Sequence, residues 1–441
     1  MNRRLFLKTV GVTAGAAALA ACTPAAGPAA TTGGESGEAA PAGEAIELVF
    51  WGFATNRNKW YPALAERYKE EVNTNVSVDV QELTYDEMHN KVLTSLVAGT
   101  GAPDIADIEI SRFGQFVKGE RIGFVPLNDL LGADEENLYT RSALSPWSWQ
   151  GNYYGIGNEL NACLIFYRHD LLSDAGISYP WSTWEEFTQA GKDYVAATGK
   201  KWISLSPTSW DYWWIIAQAF NGFFDPEGNP SFDNEGGVRV MQMLADWRWT
   251  DEIAIERAAD QAFYGQMMAD EFATHMGAPW MQGFMKDNAA SLEGKWEMAL
   301  LPKFQDGSGA TSGTYGGTGT CITEQSQNAE TAWDFIRYCN LTNDGVLLGF
   351  EMQNLYPTWV PAWEDERMQF QDPYFNNQRP AEFITAGAED MPPLNNSPWW
   401  PEVTDAFSRL VITPVLSEET QMPVEQAMEQ ARAEVDQIIG A

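Results

Sequence analysis

The chain has 441 residues, of which 44% are hydrophobic, 13% aromatic and 20% charged, enough apolar material for more than one compact core. Lys and Arg number 27 against 61 Asp and Glu, a formal net charge of -34, which argues against a protein built to grip phosphate backbones, whose footprint is a basic patch. No nucleic-acid partner is expected, and the acidic excess acts as a solvated face that keeps the chain soluble.

Asn2-Arg3-Arg4-Leu5-Phe6-Leu7-Lys8 forms a twin-arginine pattern ahead of a weakly apolar run over residues 10–21. That run is shorter than the roughly 20 apolar residues a spanning helix needs, so residues 1–21 read as a cleaved export signal. Leu19-Ala20-Ala21-Cys22 resembles the lipobox of bacterial lipoproteins, which implies acylation of Cys22 and an extracytoplasmic chain anchored to the cell membrane. An ordinary secretory signal with a chance cysteine is the competing reading. Residues 22–45 are small, polar or acidic, with no large apolar side chain until Ile46; such a segment cannot bury a core and serves as a flexible tether.

Ile46-Glu47-Leu48-Val49-Phe50-Trp51-Gly52 opens as a strand, after which Trp60, Leu64, Tyr68 and Val72 recur at helical spacing. Val76, Val78 and Val80 alternate with Ser77, Asp79 and Gln81, the period of a strand with one face buried. Thr84-Tyr85-Asp86-Glu87 reads as a capping box opening a helix that Gly99 closes. Residues 102–108 form the next strand, and this alternation predicts an α/β lobe with a mainly parallel sheet. A second α/β run begins near Tyr153-Tyr154-Gly155-Ile156-Gly157, with a strand at Leu164-Ile165-Phe166-Tyr167 and a capped helix start at Ser182-Thr183-Trp184-Glu185-Glu186. Residues 225–233 look faintly like a calcium loop, but Pro230 and Gly236 stand where that loop needs Gly and Glu, and a plain turn is expected. A strand at residues 295–302, a Gly/Ser/Thr-rich crossover at 305–319 and a final helix striped by Val424, Ala427, Met428, Ala431, Val435 and Ile438, with Gly440 just past its end, complete the chain.

Cys163, Cys321 and Cys339 remain after Cys22. Buried free thiols are the expectation for a chain folded before export, while a Cys321 to Cys339 bridge stays open until geometry decides it. His89, His169 and His275 are far apart and sit in no metal-binding motif, so neither a metal nor a cofactor is expected. The glycines of Gly316-Gly317-Thr318-Gly319 and Gly155-Ile156-Gly157 lack the partners of a phosphate loop or dinucleotide fingerprint. What stands out is 19 Trp, several in runs such as Trp210-Asp211-Tyr212-Trp213-Trp214, Ala278-Pro279-Trp280 and Pro398-Trp399-Trp400-Pro401. An indole offers a flat apolar face on which the C–H face of a sugar ring can stack. Core packing is the competing role and takes about half of them.

Taken together, Gly101-Ala102-Pro103-Asp104-Ile105, Ser111-Arg112-Phe113-Gly114, Tyr154-Gly155-Ile156-Gly157-Asn158-Glu159, Tyr167-Arg168-His169-Asp170-Leu171-Leu172, Gly277-Ala278-Pro279-Trp280 and the closing helix at 423–439 resemble family 1 extracellular solute-binding proteins of ABC importers, in the maltose and multiple-sugar branch. The resemblance implies an α/β fold of the two-lobed, periplasmic-binding-protein-like type II class, with a hinge crossed more than once. Lobe 1 is then residues 46–155 plus 310–357, and lobe 2 residues 156–309 plus 358–441. It also implies a saccharide ligand held by lobe closure, delivery to the transmembrane subunits of an ABC permease, and no catalysis.

Carried over residue by residue, the resemblance places Glu109, Ser111 and Arg112 in the cleft, Glu159 at the hinge, Tyr212 as an aromatic wall, and Trp280 and Trp400 as stacking platforms. Trp51, expected in the loop after the first strand, is a further ligand-binding candidate. Ser111 departs from the acid of maltodextrin-binding relatives, which leaves the sugar open. The rival reading is a secreted carbohydrate-active enzyme with a Trp-lined cleft and two carboxylates about 5 to 10 Å apart as acid and base; a receptor for peptides or anions is a third, disfavoured by the few basic residues in the matched segments.

Overall fold

Strands buried along their whole length belong in the middle of a sheet covered on both faces, and both sheets of this protein are built around strands of this kind. The computed structural model describes residues 45–53, 57–119 and 121–440. The expected export signal at 1–21, the expected tether up to residue 44 and Cys22 lie outside the described residues. In chain order, β1 (Ile46–Gly52) pairs in parallel with β2 (Val76–Glu82) and with β3 (Ile105–Glu109). A short hairpin of β4 (Ser148–Trp149) and β5 (Asn152–Tyr153) precedes β6 (Ile156–Gly157). Then come β7 (Leu164–Arg168), β8 (Lys201–Leu205), β9 (Ala254–Glu256), β10 (Phe272–Gly277) and β11 (Trp296–Ala299), and β12 (Thr318–Ile322) ends the series.

These strands make two five-stranded sheets, ordered β2-β1-β3-β12-β6 and β11-β7-β10-β8-β9. In the first, β12 runs antiparallel to β3 and to β6; in the second, β10 is parallel to β8 and antiparallel to β7. Every residue of β7, β10 and β12 is buried, whereas β2 lies at an edge, with Val76 buried and Asp79 exposed. The chain passes between the sheets three times. Residues 158–163 lead from β6 to β7 and residues 300–317 from β11 to β12. After two helices, Ala329–Asn340 and Asn343–Gln353, residues 355–372 return to the second sheet. The crossings are tied together: the Leu160 N–H donates to the Tyr356 carbonyl at 2.6 Å and the Cys163 N–H to Gly313 at 2.8 Å.

Trp147 is the wedge of this junction. Its ring is 1% exposed and its Nε1 donates to the Ile108 carbonyl at 2.9 Å. Gly157 and Gly319 pass so close that a Cβ at either would stand 2.5 Å and 2.3 Å from the indole. A side chain at either position, one in β6 and one in β12, is therefore excluded by packing.

Much of the element reading stands. The helix Tyr85–Ala98 ends at Gly99 with φ 73°, and Trp184–Thr198 carries a complete capping box between Thr183 and Glu186. The 225–233 segment is a turn whose Asp225 carboxylate accepts from the Glu227 and Asn229 N–H groups. Cys163, Cys321 and Cys339 are three free, buried thiols. Three local expectations are corrected. Thr84 makes no side-chain bond to the helix backbone and reaches only the Glu87 carboxylate, at 3.5 Å. Val72 lies one residue past the helix Arg57–Glu71 and is 57% exposed. Gly440 is the last residue of the helix Val424–Gly440 and does not lie beyond it.

Of the 19 Trp, 13 are buried, so the core takes more than half. Trp181, Trp184, Phe187, Trp202 and Trp247 interlock with ring centroids 5.1–5.9 Å apart beside the second sheet. Such pairs prefer edge-to-face geometry and add to area burial.

Candidate functional site

The first wall of the site grows from the C-terminal end of β3. Glu109 leaves the strand and caps the turn of 3-10 helix Ile110–Phe116, its carboxylate accepting the Ser111 N–H at 2.8 Å and the Tyr85 hydroxyl at 2.9 Å, with the Ser111 hydroxyl as a third partner. Burial pushes the Glu109 carboxyl above the ordinary carboxylate range, against the pull of these donors. Tyr85 takes a bond from the Arg112 Nε at 3.2 Å, and the Arg112 guanidinium lies 4.8 Å over the Tyr85 ring while pairing with Asp86. Glu109, Ser111 and Arg112 are thus one connected cluster, and Tyr85 is the hub that the sequence reading missed. His89 locks it to the sheet. Its Nδ1 stands 2.7 Å from the Tyr85 carbonyl and its Nε2 accepts the Glu109 N–H at 3.0 Å.

The second wall is a cavity of about 690 Å³ lined from the ends of β8, β9 and β10, within the range of small-molecule sites. Asp211, first residue of the helix Asp211–Ala217, forms an ion pair with Arg257. The Arg257 guanidinium lies 5.2 Å over the ring of Tyr212. Trp280, half-buried, lines the same cavity just before the helix Met281–Asn288. Its Nε1 donates to the Tyr315 carbonyl at 3.0 Å, and its ring meets those of Tyr315 and Phe284 at 5.7 and 5.9 Å.

Tyr315 and Gly316 belong to the 300–317 crossing. Gly316 adopts φ 71°, and a Cβ there would come within 3.1 Å of the Trp280 Nε1, so glycine serves both the left-handed backbone and the close approach. The Tyr315 hydroxyl is raised above its ordinary value by burial first, then by the charges of Asp211 and Glu109, with Arg257 opposing. Tyr315 lines this cavity with Asp211, Arg257 and Trp280, and Glu109, Ser111 and Arg112 are not among its lining residues.

The other expected residues sit differently. Tyr212 is 2% exposed and stands behind the cavity wall, its hydroxyl pushed up to about 12 by burial. Glu159 is 4% exposed within the 158–163 crossing and is not among the cavity-lining residues. Trp51 is corrected from a loop to β1. It is 5% exposed, bonded to Gln81 at 3.1 Å and covered by the Lys91 ammonium at 3.8 Å. Trp400 is 2% exposed and packed by Trp214, Phe224 and Phe223 at 5.2–5.8 Å. Neither indole has an open face. Sequence reasoning missed Asp211, Arg257, His275 and Tyr315; the one usable signal was Arg257, a lone base in the acidic stretch 251–260. Among the described residues no group of His, Cys, Asp or Glu is placed to hold a metal, and no helix is long and apolar enough to cross a membrane.

Comparison with known proteins agrees with this architecture. A family model described as bacterial extracellular solute-binding protein matches residues 63–365. An arabinooligosaccharide-binding protein of Halalkalibacterium halodurans is 29% identical over 408 residues, covering 89% of each chain. One from Bacillus subtilis is 26% identical over 416 residues, covering 92% of this chain and 93% of its own. Among solved structures, the sugar-binding protein MalE from Xanthomonas citri superposes with a TM-score of 0.76 at 19% identity, over 90% of this chain and 98% of that one; the likeness carries the two-lobed fold.

Proposed function

Because the chain belongs to the bacterial extracellular solute-binding protein family, and is a binding protein and not an enzyme, we propose that it captures a neutral oligosaccharide in the cleft between its two sheets and closes around it. The observation that carries this is the Trp280 indole, half-buried beside the hydrogen-bonding pair Asp211 and Arg257 in one cavity. A sugar presents an apolar C–H face to the first and hydroxyls to the second. Asp211, Glu256 and Asp260 against Arg257 make the lining acidic, which favours neutral sugars over uronic acids. The two relatives above bind arabinooligosaccharides by name, and arabinose oligomers are the first ligands to test.

In this reading Glu109, Ser111 and Arg112 bind from the opposite wall, residues 46–155 with 310–357 move as one lobe and residues 156–309 with 358–441 as the other. Closure is driven by tighter binding to the closed state. Delivery is to the membrane subunits of an ABC permease. Residues 1–21 route the chain through twin-arginine export, and acylated Cys22 holds it at the membrane; one acyl chain binds only marginally, so stable anchoring takes more than one.

Calorimetric titration with arabinotriose, galactobiose, lactose and maltotriose tests the function. Micromolar binding, about -8 kcal/mol, of at least one, with no shortening of the sugar, is expected; failure of all four, or release of shorter products, overturns it. Cys22→Ala should move the protein from the membrane to the soluble fraction, and an unchanged distribution refutes the anchor.

A further inference from the structure

His275 lies in β10, 2% exposed, and lines the same cavity as Arg257 and Trp280. Its protonation can be read from its neighbours. The Tyr212 hydroxyl accepts the Met276 N–H at 3.1 Å and stands 2.6 Å from His275 Nδ1. A tyrosine hydroxyl has one proton to donate as well as lone pairs to accept with, so beside the Met276 N–H it can give that proton to Nδ1. In that arrangement the neutral ring carries its own proton on Nε2. Burial and the nearby Arg257 charge both hold the ring far below its ordinary value, and therefore neutral.

That Nε2 has no hydrogen-bond partner. An unmade bond at a buried donor costs its full desolvation, and native proteins keep few of them outside sites where a partner arrives later. Gly277, also on the cavity wall, puts no side chain over Nε2; a Cβ there would stand 3.4 Å from it.

We propose that His275 Nε2–H donates a hydrogen bond to an oxygen of the bound saccharide, making His275 a specificity-determining residue beside Asp211 and Arg257. The Tyr212 hydroxyl is the positioning group that fixes the tautomer. The inference rests on the saccharide-binding reading and narrows it: the ligand must place an acceptor, a hydroxyl or ether oxygen, at this point of the cavity. A sugar lacking that oxygen leaves the donor unpaired and is rejected, whereas the same site without the donor would tolerate it.

The test uses whichever of arabinotriose, galactobiose, lactose or maltotriose binds the intact protein. His275→Phe removes the donor and should weaken binding about 10-fold or more, while His275→Gln, which keeps an N–H near the Nε2 position, should recover part of it. Gly277→Ala leaves His275 and Tyr212 untouched, meets only ordinary contact distances and places a methyl over Nε2; it should bind less tightly with a melting temperature close to the parent. Should His275→Phe fail to fold, Gly277→Ala and histidine nitrogen NMR of the unaltered protein decide. With three histidines in the chain, the His275 signals should report the Nε2–H tautomer when free and a shifted Nε2 proton when saturated with sugar. Parent-like affinity in His275→Phe or Gly277→Ala, an Nδ1–H tautomer, or an unmoved Nε2 signal overturns the inference. If no probe binds the parent protein, the proposed function itself falls and the inference with it.

Discussion

Acidification tests how the first wall is held in place. His89 is fully buried, and its two bonds, to the Tyr85 carbonyl and from the Glu109 N–H, close only when Nδ1 carries a proton and Nε2 does not. Burial lowers its pKa from the ordinary 6.5 to about 4, with the Tyr85 carbonyl and Asp86 pulling it up and Arg112 pushing it down. In the unfolded chain the ring protonates near 6.5. Between pH 6.5 and 4 the unfolded state therefore holds the extra proton, and stability falls as pH falls through that window.

At about 1.4 kcal/mol per pH unit, the gap from 6.5 to about 4 corresponds to a loss of about 3 kcal/mol. Glu109 works in the opposite sense: its carboxyl is raised by burial, so the folded state takes its proton first and acid favours folding there. The clean readout is a difference. Urea denaturation of the parent and of His89→Gln at pH 7, 5.5 and 4.5 shares every carboxylate, and the Gln carbonyl can still accept the Glu109 N–H. The parent should lose about 2 kcal/mol more than the variant between pH 7 and 4.5. Parallel pH dependences would refute the buried neutral bridge.

Trp280→Ala should weaken sugar binding by about 1 to 3 kcal/mol with little change in melting temperature, whereas Trp400→Ala should cost about 3 to 5 kcal/mol of stability by denaturant titration; the reverse pattern would exchange their roles. Gly319→Ala puts a methyl 2.3 Å from the Trp147 ring, and a loss of about 1 to 3 kcal/mol or more is expected. An unchanged midpoint would mean that the wedge can move. Thr183→Ala removes the cap on the Glu186 N–H, 3.1 Å away, and should lower stability by about 1 kcal/mol, read from the same titrations.

The elements that were legible in the sequence are those whose signal is local. The valines of β2 alternate because one face of an edge strand meets the core, and Thr183 with Glu186 reads as a box because both bonds close within one helical turn. Thr84 and Glu87 offer the same spacing, yet the box does not close. Arg257 and His275 were illegible for a different reason. Their pairing with Asp211 and Tyr212 spans 46 and 63 residues, and no periodicity connects positions so far apart.

The two tryptophans beside proline show the limit most sharply. Both were expected as platforms from the family resemblance, and both in fact mark a helix start: Trp280 precedes Met281–Asn288, and Pro401 lies in the first turn of Trp400–Phe407, where a missing N–H costs nothing. From that common local structure the two rings part. Trp400 meets Trp214, Phe223 and Phe224, with Gly114 so near that a Cβ there would stand 2.8 Å from its own Cβ. Trp280 meets a glycine-bearing crossing segment on one side and a cavity on the other. Whether an indole is core or platform is thus set by the volume that other elements leave beside it. Only the fold creates that volume, so it is the Gly316 floor and the open side of β10, more than the Trp-Pro motif, that mark Trp280 as the residue to meet a ligand.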